Sequence, residues 1–371
     1  MTAVMPAGVA TARDLVGPAM AAAVVRLSPE VRTVAAYHLG LAGLNGHAHG
    51  GRPGGDGQAT VTVPAPADGG ATAGPARTAG AKPAGSGKAL RPALALLSAR
   101  AALAAPERGV PAAVAVELVH NFSLLHDDIM DGDAERRHRP TAWKVYGVGP
   151  AILAGDALLS LAQDILLEES GPQGAWAARC LSAAVQRLIA GQGADLAFER
   201  RDDVTLGECL TMAGDKTAAL MACSCSIGAV YLGAPPALAM GLAAFGAHAG
   251  LAFQLTDDLL GIWGAPEITG KPVRSDLRTR KKSLPVVAAL TSDSPAGLEL
   301  GTLLSAAEPL NEDDLLRAAH LVEEAGGRQW AEAEADAQLS SASRCLAETD
   351  IPDDVRARFA GIADFITGRQ W

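Results

Sequence analysis

The chain alternates between long segments with apolar residues at helical spacing and short polar breaks. In Val116–Asp131, apolar residues recur every three or four positions, and this period predicts a buried helix. The same pattern predicts one or two helices in Ala12–Leu44, with Ser28 and Pro29 as a helix start, and another helix in Ala89–Ala105. Further helices are predicted at Pro150–Glu169, Ala175–Glu199, Thr205–Leu232 and Pro236–Trp263, followed by amphipathic helices after Asn311. The pattern therefore favours an all-α protein.

One long break interrupts this pattern. From Gly46 to Ser86 the chain consists largely of glycine, proline, alanine and threonine, with scarcely a large apolar residue. Such a segment cannot bury enough apolar surface to offset its chain entropy, so we predict a disordered insertion. The chain then divides into N-terminal helices in residues 1–45, the insertion at 46–86, and a main domain in residues 87–371.

Composition narrows the functional classes. Hydrophobic residues make up 49% of the 371 residues, whereas aromatic residues make up only 4%, which fits an alanine- and leucine-rich helical core. The net charge of -10 argues against general nucleic-acid binding. The five cysteines lack the spacing of metal ligands and fit a reducing cytoplasm. We expect neither a signal peptide nor a membrane span.

Two clusters of carboxylates lie in otherwise apolar helical segments. Asp127 and Asp131 are four residues apart, so a helix places them on one face, with Asp128 about 100° around the axis. A second pair, Asp257 and Asp258, follows much later in an apolar segment. A solvated face or an N-cap could explain one such pair, but two are harder to explain in that way. Clustered carboxylates repel one another unless a cation neutralises them, and their oxygens suit magnesium.

Basic residues accompany both acidic clusters. Lys88 and Arg91 follow a glycine-rich stretch, and Arg136 and Arg137 follow the first aspartates. Lys216 lies among alanine, leucine and methionine, where an unpaired lysine would be costly. Salt bridges with the aspartates are one explanation for these positive charges. The alternative is a diphosphate site in which magnesium and basic side chains hold the anion together.

Taken in order, these motifs resemble the isoprenyl diphosphate synthases. The resemblance extends from Gly87 to Pro285 and comprises GKALRP, His120, DDIMD followed by RR, KT at Lys216, and FQLTDD followed by later lysines. It implies an all-α isoprenoid synthase bundle around a deep central cavity, usually as a homodimer. It also implies a cytoplasmic, magnesium-dependent prenyltransferase that joins isopentenyl diphosphate to dimethylallyl, geranyl or farnesyl diphosphate.

The resemblance also implies roles for individual residues. Catalytic roles fall to Asp127, Asp128, Asp131, Lys216 and Asp257. Three magnesium ions would be held by Asp127, Asp128, Asp131, Asp257 and Asp258. The allylic diphosphate would be surrounded by Arg136, Lys216, Thr217, Gln254, Lys271 and Lys281, and isopentenyl diphosphate would be bound by Lys88, Arg91, His120 and Arg137. Loss of diphosphate would leave an allylic carbocation that the double bond of isopentenyl diphosphate attacks, and loss of a proton would complete the reaction.

Product length is predicted from the residues that precede the first aspartates. Phe122 lies five residues before Asp127, about one and a half helical turns from the metal site. A bulky ring there could form the floor of the cavity, whereas the neighbouring Ser123 is small. In the resembling family this arrangement accompanies short products, so we expect geranylgeranyl or farnesyl diphosphate. The alternative is that Phe122 only packs the core.

Two residues depart from the family pattern. Gly261 stands where most relatives carry a further aspartate, and we expect activity to survive with altered metal affinity. Arg280 stands where relatives usually have glycine. Two other functions stay open: a class I terpene cyclase, which would not need the isopentenyl diphosphate residues, and a non-catalytic subunit of a heteromeric synthase.

Overall fold

Helices supply nearly all the regular structure in the part of the chain that the computed structural model describes, namely residues 7–41, 89–137, 139–169, 171–266 and 272–368. The predicted insertion at 46–86 lies outside the described residues, as do the predicted site residues Lys88 and Lys271.

The first half of the described chain contains α1 to α7. Their bounds are α1 Ala7–Val25, α2 Pro29–Leu39, α3 Leu90–Ala101, α4 Val110–Met130, α5 Ala142–Tyr146, α6 Val148–Leu167 and α7 Pro172–Phe198. A 3₁₀ turn, Pro106–Gly109, precedes α4, and a short antiparallel hairpin follows it. In that hairpin β1 (Glu135–Arg136) pairs with β2 (Arg139–Pro140).

The second half contains α8 to α16. Their bounds are α8 Leu206–Ala213, α9 Ala219–Tyr231, α10 Pro236–Trp263, α11 Ser275–Arg278, α12 Leu284–Leu290, α13 Pro295–Leu304, α14 Glu312–Glu324, α15 Gly327–Glu348 and α16 Asp353–Thr367. A π-helical turn, Gly214–Ala218, joins α8 to α9. The predicted single helix Thr205–Leu232 therefore contains a π turn. The predicted helix to Ala105 is too long, because Leu103 adopts a left-handed conformation with φ 58° just after α3.

The core forms around α4 and α10, the two apolar helices that carry the aspartate clusters. α4 packs against α3 and α6, while α10 packs against α9 and α15. Small residues let these helices approach closely, and a few large side chains fill the gaps between them. For example, the rings of Phe245 and Phe359 meet edge to face with centroids 5.4 Å apart. The N-terminal helices α1 and α2 pack on α3 and α6, respectively, and so join the same core.

Two of these helices, α6 and α10, are long and apolar enough to cross a membrane by length and composition alone. Both also pack against several other helices of the bundle, and α10 carries two aspartates. Length and composition are weak evidence in such helices. We therefore see no clear membrane span in the described residues.

Candidate active site

A cavity of about 250 Å³ lies between α4, α7, α10 and the stretch from α8 to α9. Asp127, on the last turn of α4, lines it. Burial raises the pKa of Asp127 to about 6, although the nearby charge of Lys216 acts in the opposite direction. Asp131 follows the end of α4, and its backbone amide donates a 2.8 Å hydrogen bond to the Asp127 carbonyl oxygen. We call this space the main cavity.

Asp128 lines a second, neighbouring cavity of about 170 Å³. Its carboxylate is almost fully buried, and its Oδ1 accepts a hydrogen bond from Arg136 Nε at 2.6 Å. Its Oδ2 has no hydrogen-bond partner within the described part of the chain. Burying an ionisable oxygen without a partner is costly, and accordingly burial raises the pKa of Asp128. This oxygen is therefore suited to a cation or an additional donor.

The second acidic pair, Asp257 and Asp258, lies on α10, and both residues line the main cavity. A chain of hydrogen bonds runs from Thr217 Oγ1 to Gln254 Oε1 (2.6 Å) and from Gln254 Nε2 to Asp258 Oδ1 (2.8 Å). Lys281 Nζ lies 3.7 Å from the same Asp258 oxygen. Burial raises the pKa of Asp258 to about 6. These side-chain contacts join α10 to the π turn and to the segment before α12.

Lys216 reaches the main cavity from the π turn. Its Nζ forms a 2.6 Å ion pair with Asp195 Oδ2 of α7. The backbone of the π turn approaches α7 closely at Gly191, where an added Cβ would lie 2.3 Å from the Lys216 nitrogen. Only glycine permits this approach, because any side chain at position 191 would collide with backbone atoms. π turns occur frequently at functional sites, and this one brings Lys216 and Thr217 to the cavity.

Arg91 and His120 form a basic pair on another wall of the main cavity. Arg91 Nη1 lies 3.2 Å from His120 Nε2. Because a guanidinium can only donate, the histidine nitrogen accepts and the ring is neutral. Burial and the charge of Arg91 lower the pKa of His120 well below 6.5, which agrees with a neutral ring. The Arg91 Nε has no partner within the described residues, so the guanidinium retains a free donor.

Arg136 and Arg137 lie on the hairpin and the turn that follow α4, and both line the second cavity together with His38. Burial, with the charges of these arginines, lowers the pKa of His38 to about 3. Arg137 also lowers the pKa of His120, so the basic groups of the two cavities lie near one another. Leu124 lines both cavities and forms part of the wall between them.

The predicted chain-length residues differ in position. Ser123 lines the main cavity, whereas Phe122 is not among its lining residues. Phe122 is buried, and its ring meets the His126 ring edge to face with centroids 4.8 Å apart. The ring is therefore buried without lining the cavity, and its effect on product length stays a prediction. Apolar side chains lining the cavity are Leu124, Leu188, Met212, Leu220 and Phe253.

Sequence reasoning missed two site residues on α7, Gln192 and Asp195. Both line the main cavity, and Asp195 holds Lys216. Their spacing of three residues places them on one face of α7, which is otherwise rich in alanine and leucine. This pair of polar residues was the signal that could have identified them.

The side chains of the site fit magnesium. Carboxylate oxygens are the ligands that this ion prefers, and Asp127, Asp195 and Asp257 supply them around one cavity. Burial raises the pKa of Asp127, and Asp128 Oδ2 has no hydrogen-bond partner among the described residues, so a bound cation would stabilise both carboxylates. Among the described residues, no three histidine, cysteine or acidic side chains converge closely enough to hold an ion alone. Magnesium often binds through one or two carboxylates together with substrate phosphates, so the arrangement is still suitable.

Carboxylates from α4, α7 and α10 line one cavity of an all-α bundle together with basic side chains, an arrangement that is typical of enzymes acting on diphosphates. The chain belongs to the polyprenyl synthetase family, whose model matches residues 79–322. The solved polyprenyl synthetase of Streptomyces coelicolor A3(2) has a similar fold, with a TM-score of 0.82 and 48% identity, covering 97% of this chain and 98% of that one.

Within the family, the chain is similar to short-chain synthases. It is 45% identical to the (2E,6E)-farnesyl diphosphate synthase of Mycobacterium tuberculosis over 362 residues, which cover 97% of this chain and 92% of that enzyme. It is 47% identical to the geranylgeranyl diphosphate synthase of the same organism over 273 residues, or 73% of this chain and 77% of that enzyme. The expected all-α fold and the expected prenyltransferase class, a short-chain isoprenyl diphosphate synthase, are thereby confirmed.

Proposed function

We propose that this chain joins isopentenyl diphosphate to dimethylallyl, geranyl or farnesyl diphosphate and releases farnesyl or geranylgeranyl diphosphate. The observation that carries the proposal is the main cavity itself. Carboxylates from α4 and α10 line one space with basic side chains, and apolar side chains complete its walls. The names of the similar mycobacterial enzymes support the same products.

The carboxylates hold magnesium in this proposal. Asp127, Asp131 and Asp257 are the ligands, and Asp195 adds a carboxylate from α7. Asp128 and Asp258 support this group through Arg136 and Gln254. When bound, three magnesium ions neutralise the diphosphate and make it a better leaving group.

The basic residues bind the allylic diphosphate. Lys216 and Lys281 both line the cavity, as do Thr217 and Gln254, which are joined by a hydrogen bond. Their charges stabilise the negative charge that develops on the diphosphate as the carbon–oxygen bond breaks. Arg136 is the third cation of this group, and Lys271, outside the described residues, stays a prediction.

The apolar wall protects the reactive carbon. As the bond to diphosphate breaks, its electron pair leaves with the oxygen and an allylic carbocation is left. Leu188, Leu220 and Phe253 line the cavity with hydrocarbon and so limit the access of water to this cation. The double bond of isopentenyl diphosphate then forms the new carbon–carbon bond, and a proton leaves to the departing diphosphate.

Isopentenyl diphosphate binds at the Arg91–His120 pair. Arg91 keeps a donor without a partner among the described residues, and a neutral His120 can donate through its other ring nitrogen. Arg137 lies close enough to influence His120 and completes the basic group. Lys88, which lies outside the described residues, is the fourth member of the predicted set.

We also propose a cytoplasmic homodimer whose catalytic domain includes the N-terminal helices in residues 1–45 together with residues 87–371. Val148 and Ile152 lie one helical turn apart on α6, and both are exposed, as is Leu153. An exposed apolar face of this kind suits an interface between two copies. The five cysteines are free thiols, which suits the reducing compartment that we propose. Sedimentation velocity tests the dimer, and a monomer at micromolar concentration would exclude it.

One assay tests the function. The purified chain is incubated with isopentenyl diphosphate, an allylic diphosphate and magnesium, and the products are dephosphorylated and sized. We expect elongated farnesyl or geranylgeranyl products, and at least a hundredfold loss in rate for Asp127→Ala or Asp131→Ala, because charge stabilisation is the main catalytic effect. The exposed Asp336→Ala on α15 is the control. A cyclic hydrocarbon would indicate a terpene cyclase, and no turnover would indicate a non-catalytic subunit.

A further inference from the structure

Gly261 lies one helical turn after Asp257 on α10, on the face that carries the acidic pair. A Cβ added at Gly261 would lie 2.3 Å from Asp276 Oδ2, 2.5 Å from its Cγ and 2.7 Å from its Oδ1. All three atoms belong to one carboxylate, which therefore packs directly on the α10 backbone. The carboxylate of Asp276, on α11, occupies the space that a side chain at position 261 would take.

The surroundings of Asp276 hold it in this place. The residue is buried, with 8% of its surface exposed. The Ser275 hydroxyl lies 3.2 Å from Asp276 Oδ1 and 3.4 Å from the Gly261 carbonyl oxygen, and so it joins α11 to α10. The Asp276 carbonyl oxygen accepts a 2.8 Å hydrogen bond from the Lys281 backbone amide. These contacts hold the segment that carries Lys281 against α10.

The charge of Asp276 acts on two groups of the main cavity. Burial opposes the positive charge of Lys281, but the carboxylates of Asp258 and Asp276 outweigh this effect and raise the lysine pKa. The pKa of Asp258 is raised by burial and, to a smaller extent, by the charge of Asp276. Asp276 therefore lies close enough to Lys281 and Asp258 for its charge to raise the pKa of both.

We propose that Asp276 is a positioning residue that supplies α10 with the carboxylate missing one turn after Asp257, and that Gly261 is required to admit it. Together with Asp258, Asp276 balances the positive charge of Lys281 and adds negative charge at the end of the cavity where cations bind. This inference rests on the proposed function, because only that function places magnesium beside Asp257 and Asp258. The third carboxylate thus comes from a different helix in the fold.

Relocation of the carboxylate tests the proposal directly. Asp276→Asn removes the charge and keeps the shape, whereas Gly261→Asp combined with Asp276→Gly returns a carboxylate to α10. Binding of magnesium with inorganic pyrophosphate is measured by calorimetry, without turnover. We expect Asp276→Asn to weaken magnesium binding about tenfold, since one neighbouring charge is lost in a partly buried site. The relocated pair should return to within about threefold of the natural protein, because it restores that charge.

Alanine at position 261, with and without the Asp276 side chain, tests the role of Gly261. Gly261→Ala should lower Tm in EDTA by roughly 2–5 °C, because its Cβ collides with the carboxylate. In an Asp276→Gly background the same Gly261→Ala change should not lower Tm further, because the colliding carboxylate is gone. Gly361→Ala on α16 is the control, since no heavy atom lies within 4 Å of the added Cβ. A normal Tm for Gly261→Ala would overturn the requirement for glycine.

Reference variants separate this inference from the proposed function. Asp336→Asn, which changes an exposed carboxylate on α15, should bind magnesium and pyrophosphate normally. Asp127→Ala should bind them weakly. If Asp127→Ala binds normally, both the proposed function and this inference are overturned. If Asp127→Ala is weak while Asp276→Asn binds normally, or while relocation recovers nothing, only the role of Asp276 is overturned.

Discussion

The substitution Gly191→Ala tests whether the close approach of α7 to the π turn is needed to place Lys216. The added Cβ would lie 2.3 Å from the Lys216 nitrogen, 2.7 Å from its Cα and 2.9 Å from the carbonyl carbon of Asp215. These are backbone atoms, which cannot rotate out of the way as a side chain could. The two segments must therefore separate, or α7 must distort.

The size of the effect follows from these distances. The closest contact must lengthen by roughly 1 Å to become an ordinary van der Waals contact. Overpacking of this kind costs about 1–3 kcal/mol, and the higher helix propensity of alanine returns about 0.5–1 kcal/mol. We expect a net destabilisation of about 0–2.5 kcal/mol from these two effects. A 1 Å displacement of Lys216 from the diphosphate should lower kcat/KM by about 10²-fold.

Gly193→Ala is a matched control, because it lies two residues further along α7 and no heavy atom lies within 4 Å of its added Cβ. This variant should be as stable as the natural protein or more stable, with unchanged kinetics. Urea unfolding measures stability, and steady-state kinetics with the allylic substrate measure turnover. If Gly191→Ala matches Gly193→Ala in both measurements, close packing at position 191 does not position Lys216.

Two further substitutions probe the cavity and its charge. Phe122→Ala should give longer products in the sizing assay if the buried ring limits the depth of the cavity, whereas unchanged products with lower stability would show that the ring only packs the core. The pKa of Asp127 is about 6 in the folded protein and 3.8 in an unfolded chain, so the folded state binds this proton more tightly. In EDTA, the stabilising contribution of protonated Asp127 should therefore be fully present below pH 3.8 and should be lost as the pH rises through about 6. Asp127→Asn should reduce that fall in a Tm series from pH 4 to 8, and an unchanged slope would contradict the assignment.

The sequence permitted prediction of the helices and of the acidic clusters because both are local patterns. Apolar periodicity placed α4 around Asp127, and α10 has the predicted bounds Pro236–Trp263. The departure at Arg280 also has a local explanation. Its φ of 54° lies in the left-handed region, where glycine is favoured, and the arginine accepts that conformation while donating to the Glu308 carbonyl oxygen at 2.6 Å.

The tertiary partners could not be predicted in this way. Periodicity shows which face a residue occupies, but it does not show what faces it. Asp195 and Lys216 are paired across two segments, and the π turn that brings them together has no periodic signature. The contact between Gly261 and Asp276 likewise depends on how α11 folds back on α10. For Gly261, the sequence indicated a missing carboxylate but gave no sign of its replacement.

The ion pairs around the two cavities have a consequence for the order in which ligands enter. Lys216 is bound to Asp195, Arg136 to Asp128 and Lys281 to Asp258, so positive and negative groups already neutralise one another. Opening any pair exposes an oxygen for a cation and a nitrogen for an anion at the same moment. A diphosphate arriving alone would leave a bare carboxylate, and a cation arriving alone would leave a bare ammonium or guanidinium. Magnesium and diphosphate binding together would therefore satisfy both members of each opened pair, whereas either one alone would leave a buried charge without a partner.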